Sequence, residues 1–457
     1  DGFQPLNAAN VRPETVITRP DHYFDIDTYT GTTPNPLERS NFSFAPDFLW
    51  FKSRAGARDH ALFDTVRGRA LGLKTNGTDA QASSGATQDL VSFDNDGFTV
   101  GEIYRWSSTN RDESLVVWAW KAGGNKNTFN VDDVGYASAA DVNMSAGALN
   151  SATYDQSQTW SSLGSSSGWG GSYPLTRLFD GVVSNNIADA ASGNNATWTY
   201  TISNVSNFKI SLYVPNIGNH VAVNDVKING SDIVQQYILD AGLAQDTWHT
   251  IDLGNIGTFT SLFFDDSYWY VQAIYINDKM LVNNGVSVAN VPSIAATGAS
   301  VGTKQGFSIT TFTTPGSGTF TYSHGLSQPP NFIITKATNQ SYTWTTYHVS
   351  AGATKYLVLN TQGAAEPGTM WNNTTPSSSV VYGNSSNFGT STNYVTYQWH
   401  DVPGLQKFGS FEANQNADGP FVELGFRPAI VWIKNIDNYD PPYDWVIYDN
   451  ARSTINP

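Results

Sequence analysis

The sequence predicts an all-β fold, built of tandem β-sandwich repeats with an inserted jelly-roll domain. Three observations predict it: short apolar runs that alternate with polar residues, turn signals between those runs, and one unit that recurs along the chain. The 457 residues suit roughly three or four domains at ~100–200 residues each. Hydrophobic residues make up 40%, enough for a core in each domain, while charged residues reach only 14%. That share lies well below the ~25% of an average globular chain and fits short strands with polar turns. Lys and Arg number 24 against 39 Asp and Glu, a net charge of −15 that argues against a nucleic-acid footprint.

Cysteine is absent, which excludes disulfides, thiolate zinc sites and a cysteine nucleophile. The longest wholly apolar run, Leu115 to Trp120, is six residues. A spanning helix needs ~20, so no membrane insertion is expected. The chain opens at Asp1 without a signal peptide or initiator Met, and reads as a processed or truncated piece of a longer polypeptide.

The repeat shows best in one strand. Pro46-Asp-Phe-Leu-Trp-Phe-Lys52 returns as Pro330-Asn-Phe-Ile-Ile-Thr-Lys336 and again as Pro428-Ala-Ile-Val-Trp-Ile-Lys434. An aromatic residue precedes each Pro at near-constant distance: Tyr29, Phe312 and Phe411. Downstream come His60-Ala-Leu-Phe63, Trp344-Thr-Thr-Tyr347 and Trp445-Val-Ile-Tyr448. Copies one and three then share Asp-x-x-Arg (Asp64/Arg67 and Asp449/Arg452), where copy two has His348. Copies one and two close with Val116-Val-Trp118-Ala-Trp120 and Val395-Thr-Tyr397-Gln-Trp399. Pro330 to Pro428 is a step of 98 residues, which sets the unit size.

The organisation follows: an N-terminal linker or arm over 1–22, repeat one over 23–122, a linker plus inserted domain over 123–300, repeat two over 301–404 and a partial repeat three over 405–457. Half a unit cannot bury its own apolar face, so residues 405–457 are expected to be ordered only through further sequence or a neighbouring subunit. Val116, Trp118 and Trp120 alternate with Val117, Ala119 and Lys121, the period of a strand. Phe332–Ile334 and Ile430–Ile433 read as strands buried on both faces. The Lys ending each such strand is expected to snorkel outward.

In the insert, Thr197–Ile202 and Phe208–Val214 read as strands, Val223–Gly230 as a hairpin arm and turn, and Ile233, Val234, Tyr237 and Ile238 as one short helix. Phe179-Asp-Gly181 preceding Thr197-Trp198 resembles the galactose-binding-like jelly rolls of discoidin-type and carbohydrate-binding modules, over roughly Tyr154 to Val286. The repeat resembles the module of virion structural and tail-fibre proteins of marine tailed bacteriophages. The residues that carry this are the apolar-Lys strand, Phe63-Asp-x-x-Arg-Gly68, Phe93-Asp-x-Asp-Gly-Phe98, Trp118-x-Trp-Lys121, Thr354–Asn360, Tyr394–Trp399 and Asp418–Pro428. The resemblance implies a place on the exterior of a phage particle, among other virion proteins and copies of the chain itself, and it transfers no catalytic residue.

The residues bear on several chemistries. Gly164-Ser-Ser-Ser-Gly168 fits a nucleophile-elbow pattern, but it lies in a Ser/Gly tract rather than between a buried strand and a helix. The seven histidines are scattered singly, and no carboxylate pair selects itself for glycoside hydrolysis. No cofactor is expected. Asp180, Asp265 and Asp266 offer oxygen ligands that Ca²⁺ can use, and the Asp94–Gly97 stretch reads as a tight turn. Trp118, Trp120, Trp399 and Trp445 sit on repeat-equivalent strands and read as core. Trp160, Trp169, Tyr173, Tyr268, Trp269, Tyr270 and Trp371 lie among polar residues instead. Flat rings beside Asn, Asp and Ser suit sugars, so Trp160, Trp169, Tyr173, Asp266, Tyr268, Trp269 and Tyr270 are the candidate glycan contacts. The expectation is a non-enzymatic tail-fibre or appendage protein that binds host-surface glycan. The alternatives are a capsid or tail decoration protein without receptor binding and, third, a polysaccharide-degrading enzyme.

Overall fold

A computed structural model describes residues 17–31, 36–83, 85, 87–101, 113–147, 154–216, 221–284, 286, 290–437 and 443–452. Residues 1–16 of the expected N-terminal arm lie outside them. The fold is all-β, and the chain divides into two compact units, one of residues 1–146 with 292–457 and the other of residues 147–291. The insert is thus narrower than its sequence-based bounds. Residues 123–146 and 292–300 belong with the repeats: Phe129–Val131 and Ala296–Gly302 pair with each other and extend the sheet of the second repeat.

The first two repeats are built on one plan. In the first, an opening strand (Phe24–Thr30) pairs with a closing strand (Ser114–Trp120), which pairs with the Pro-to-Lys strand (Phe48–Ser53) and then the return strand (Ala61–Asp64). The second repeats that order with Phe307–Thr313, Asn393–Trp399, Phe332–Ala337 and Thr345–His348. Registers agree too: Phe48 faces Trp120 and Asp64, and Phe332 faces Trp399 and His348. A second small sheet covers one face of each, Leu37–Arg39 with Gly97–Val100 and Leu90–Asp94 in the first, Thr319–Ser323 with Val380–Asn384 in the second. The turn Asn95-Asp96-Gly97 joins two of these strands, and a Cβ at Gly97 would lie 1.6 Å from the Arg39 carbonyl oxygen, so only glycine fits.

Alternation now has a physical meaning. Leu115, Val117 and Ala119 face a core private to the first repeat, with Leu49, Phe51, Phe63 and Phe98. Val116, Trp118 and Trp120 face the other way, into a core shared with Phe307, Phe332, Ile334, Tyr397 and Trp399 of the second repeat. Ile430, Trp432, Trp445 and Ile447 of the third repeat pack against the same shared core.

The three repeats meet through equivalent contacts. The Trp344 indole N–H donates to the Lys74 carbonyl at 2.7 Å, and the Trp445 indole to the Val358 carbonyl at 3.1 Å. Both acceptors lie 22 residues beyond the Lys of the Pro-to-Lys strand, Lys52 and Lys336. The Tyr397 hydroxyl donates to Asp64 at 2.7 Å, and the Trp118 indole to Asp449 at 3.1 Å. These four bonds link repeat two to one, three to two and one to three. Head-to-tail contacts that return to their start define a ring, here within one chain. The Asp-x-x-Arg motif is its clamp: Asp64 holds Arg67 at 2.6 Å, both side chains being buried, and Asp449 holds Arg452, which lies over the Trp118 ring.

Three expectations are corrected here. Lys336 does not snorkel; it is fully buried, and its ammonium donates to the carbonyls of Thr78, Ala337, Gln340 and Tyr342. Lys52 and Lys434 likewise bind carbonyls, those of Arg58 and of Gln362 and Tyr443, because each strand ends above a loop whose carbonyls need a donor. Trp371, read as a loop ring, is fully buried against Tyr347 and Phe388. Ile430–Ile433 is covered on one face only, with Val431 37% exposed.

The insert is a sandwich of two five-stranded sheets. One runs Tyr154–Asp155, Lys279–Leu281, Tyr270–Ile276, Phe208–Val214, Thr247–Gly254; the other runs Ser165–Trp169, Gly193–Val205, Gly257–Phe264, Val226–Ile228, Ser231–Asp232. Phe208, Ile210, Leu212 and Val214 enter the core between them with Trp198, Phe259 and Leu262. The expected hairpin turns at Asn229-Gly230, where φ is +55° and +77°, the left-handed pair a two-residue turn requires. The expected short helix spans Gln235–Leu239 and buries Ile238.

Candidate functional site

The sequence-predicted aromatics of the insert part company in the structure. Trp269 is fully buried in the sandwich core and offers no face to a ligand. Trp160 is also core, 5% exposed, with its indole N–H on the Asp155 carbonyl at 2.8 Å. Trp169 is half-buried, donates to the Thr197 carbonyl at 2.8 Å and sets its ring edge-on to Phe264. Trp160 and Trp269 anchor loops and sheets, a correction to their reading as sugar platforms, whereas Trp169 keeps part of its surface open on the edge strand. Polar neighbours in sequence misled there, because a loop that re-enters the sandwich buries one ring and exposes the next.

Tyr173 and Tyr270 are brought together, with ring centroids 5.2 Å apart. Two strand residues extend the pair. Tyr213 lies 6.0 Å from Tyr270, and Trp248 lies 5.6 Å from Tyr213. Strand register does this: Tyr213 is the Cα partner of both Tyr270 and Trp248, so the three side chains stand in one row across the sheet. Because Leu212 and Val214 point inward, Tyr213 must point outward. All four rings are half-buried, so they form a continuous aromatic row on the outer face. Arg177 lies over the Tyr173 ring at one end, 5.8 Å from its centroid, and Asp246 accepts from the Tyr213 hydroxyl at 3.5 Å near the other. Burial pushes the Tyr270 phenol up, with Tyr173 adding to it, and Tyr213 is raised by burial and then by Asp246. Tyr270 and Tyr213 therefore keep their phenol protons at physiological pH. Tyr213 and Trp248 were missed by sequence reasoning, although the alternation of Phe208–Val214 already placed Tyr213 on the outward set.

Tyr268 is 50% exposed beside the row's strand, and Asp266 accepts its backbone N–H at 2.8 Å. Asp265 is exposed at the same turn. Both are neighbours of Asp225, whose carboxyl is pushed up by burial and further by their charges. Asp180 sits elsewhere, accepting the Val182 N–H at 2.9 Å, and burial raises its carboxyl. Among the described residues no three His, Asp or Glu side chains gather as a metal site. The Gly164–Gly168 serines lie on an exposed edge strand: Ser165 and Ser167 exchange hydroxyl bonds with Thr199 and Thr197 at 2.6 and 2.9 Å. An elbow sets its serine between a buried strand and a helix, whereas these serines lie within an exposed strand and the short 3-10 helix Leu175–Phe179 begins only beyond the Trp169–Pro174 loop.

Residues 19–169 and 272–457 match the profile of a domain of unknown function (DUF7483). The chain belongs to this family. The match omits 170–271, which lie within the inserted sandwich, so the DUF7483 signature resides in the three repeats and the flanks of the insert while the aromatic row's strands fall largely outside it. Comparisons with curated proteins and with solved structures returned no match.

Proposed function

We propose that the protein is a non-enzymatic attachment protein whose inserted sandwich holds a host-surface glycan. The observation that carries this reading is the row Tyr173, Tyr270, Tyr213, Trp248: half-buried rings side by side on the outer face of one sheet, flanked by a cation and a carboxylate. Sugars present apolar C–H faces with hydroxyls at their rim, and such a row supplies stacking surface with hydrogen-bonding groups beside it. Single contacts of this kind are weak, and copies displayed together raise avidity without new contacts. The likeness of the repeats to virion modules of marine tailed phages supports a tail-fibre or appendage on the particle exterior, assembled with other virion proteins and copies of itself. The acidic surface, with a net charge of −15, discourages non-specific adsorption to anionic polymers.

Glycan-array profiling of the purified chain tests the reading, together with immuno-electron microscopy on phage particles. Binding to a defined set of glycans, lost in Trp248→Ala, supports it. A silent array with specific labelling of the capsid or tail would favour the decoration role. Release of reducing ends from a polysaccharide would replace it with the enzyme.

A further inference from the structure

Between the first two repeats lies a cavity of about 300 Å³. One wall belongs to repeat one: Val66 and Arg67 in the turn after Ala61–Asp64, Leu71 at the start of the next strand, and Gln81. The other wall belongs to repeat two and the strand that extends its sheet, and threonines dominate it: Thr297, Thr311 and Thr313, with Asn393 beside them. Alternation puts them there. Phe312 and Tyr394 enter the core of repeat two, so Thr311, Thr313 and Asn393 point the other way, toward repeat one. Thr297 is set by a β-bulge. Ala296 faces Phe312 and Gly298 faces Thr311, which leaves Thr297 as the extra residue, its hydroxyl donating to Thr311 at 2.8 Å. A Cβ at Gly298 would stand 3.0 Å from Val66 and 3.2 Å from Thr311, so glycine lets the two walls close there.

The walls are tied together. The Gln81 N–H donates to the Thr338 carbonyl at 3.0 Å, and the Thr338 N–H to the Asn393 carbonyl at 2.8 Å. Thr297, Thr313 and Asn393 are exposed, so this preformed cavity opens to solvent.

Its hydrogen-bonding groups say what it can hold. The Gln81 side-chain oxygen accepts from Arg67 at 3.4 Å and the Asn393 oxygen from Thr313 at 2.9 Å, which leaves the NH2 group of each amide without a partner among the described residues. The buried Arg67 is matched in charge by Asp64 at 2.6 Å, so an anion would meet no unbalanced cation. A hydrocarbon would leave the two amides unpaired. Amide donors, threonine hydroxyls and the half-buried Val66 and Leu71 suit a neutral molecule with many hydroxyls and an apolar face. The volume sits at the lower end of the ~300–1,000 Å³ of small-molecule sites, enough for one ring rather than a chain.

We propose that this cavity binds a single neutral sugar ring, with the Gln81 and Asn393 amides donating to its oxygens and Val66 and Leu71 against its C–H face. The site goes beyond the attachment reading, since it uses none of the insert's residues.

The test titrates the full chain with glucose, galactose, mannose and N-acetylglucosamine, each to tens of millimolar, with glycerol as the open-chain control. The readout is the side-chain NH2 signals of Gln81 and Asn393 in spectra of isotope-labelled protein, assigned by their loss in Gln81→Ala and Asn393→Ala. At least one sugar should shift both signals saturably, and Trp248→Ala should leave those shifts unchanged. Saturation-transfer binding curves, run in Trp248→Ala to silence the insert, should weaken at least tenfold when both amides are removed. No shift with any of the four sugars would overturn the proposal, as would equal shifts with glycerol. Shifts that vanish in Trp248→Ala would also overturn it and leave the insert as the sugar site.

Discussion

In the repeats and in the insert, aromatic residues alternate along strands by the same rule, yet they end in opposite surroundings. Trp118 and Trp120 stand on a sheet with cores on both sides, so every side chain of Leu115–Trp120 is buried. Tyr213 stands on a sheet with one core, and its outward row stays open to solvent. What decides exposure is the number of layers packed on a sheet, which one strand's sequence does not encode. The repeats spend their aromatics on holding three modules together, and the insert leaves some of them available.

The largest effects should come from breaking the buried set. Trp118→Ala removes a ring from the shared core and leaves the buried carboxylate of Asp449 short of a donor. Trp269→Ala empties a fully buried site in the insert. Each should cost ~3–5 kcal/mol in denaturant titrations. Asp64→Ala strands the buried Arg67 guanidinium and should cost a similar ~3–5 kcal/mol, whereas Asp449→Ala should cost less because Arg452 is 29% exposed. Equal losses for the two aspartates would contradict the layered account.

A smaller effect is set by pH. His324 is fully buried, donating through Nε2 to the Ser377 carbonyl at 3.1 Å and accepting the Leu326 N–H at Nδ1. Burial pulls its pKa down to about 4, so the unfolded chain binds the proton first. Its share of stability is present above pH ~6.5 and is lost as pH falls toward 4, by at most roughly 3 kcal/mol. The buried Asp47 carboxyl works in the opposite sense: raised to about 6 by burial, it favours the fold at low pH and loses that contribution as pH rises from about 4 to 6. Melting temperatures across pH 4–7 should therefore fall less steeply on acidification in His324→Gln and more steeply in Asp47→Asn.

Smallest of all, Tyr268→Ala at an exposed turn should change stability by no more than ~0.5 kcal/mol. Removing divalent cations with chelator should leave glycan binding unaltered, and a lost signal would reopen the Asp265 and Asp266 turn as a calcium site.

Much of the fold was legible because its signals are local. Pro-to-Lys spacing located three equivalent strands, and alternation in Phe208–Val214 fixed which residues face the core. The ring of contacts was not legible, since Tyr397 and Asp64 are far apart in sequence and only the fold brings them together. At the candidate site, Tyr173 and Tyr270 were readable as rings set among polar residues, and the structure brings them together on the outer face. Tyr213 and Trp248 looked like ordinary strand residues until the register aligned them. Trp269, flanked by Tyr268 and Tyr270, looked identical to them in sequence and points the other way.

The most direct test of the attachment reading is a glycan array run with the native chain and with Tyr213→Ala/Trp248→Ala, alongside thermal melts of both. The account predicts that the variant loses at least tenfold in apparent affinity for the bound glycans while its melting temperature moves by only a few degrees. An unchanged glycan profile in a folded variant would contradict it.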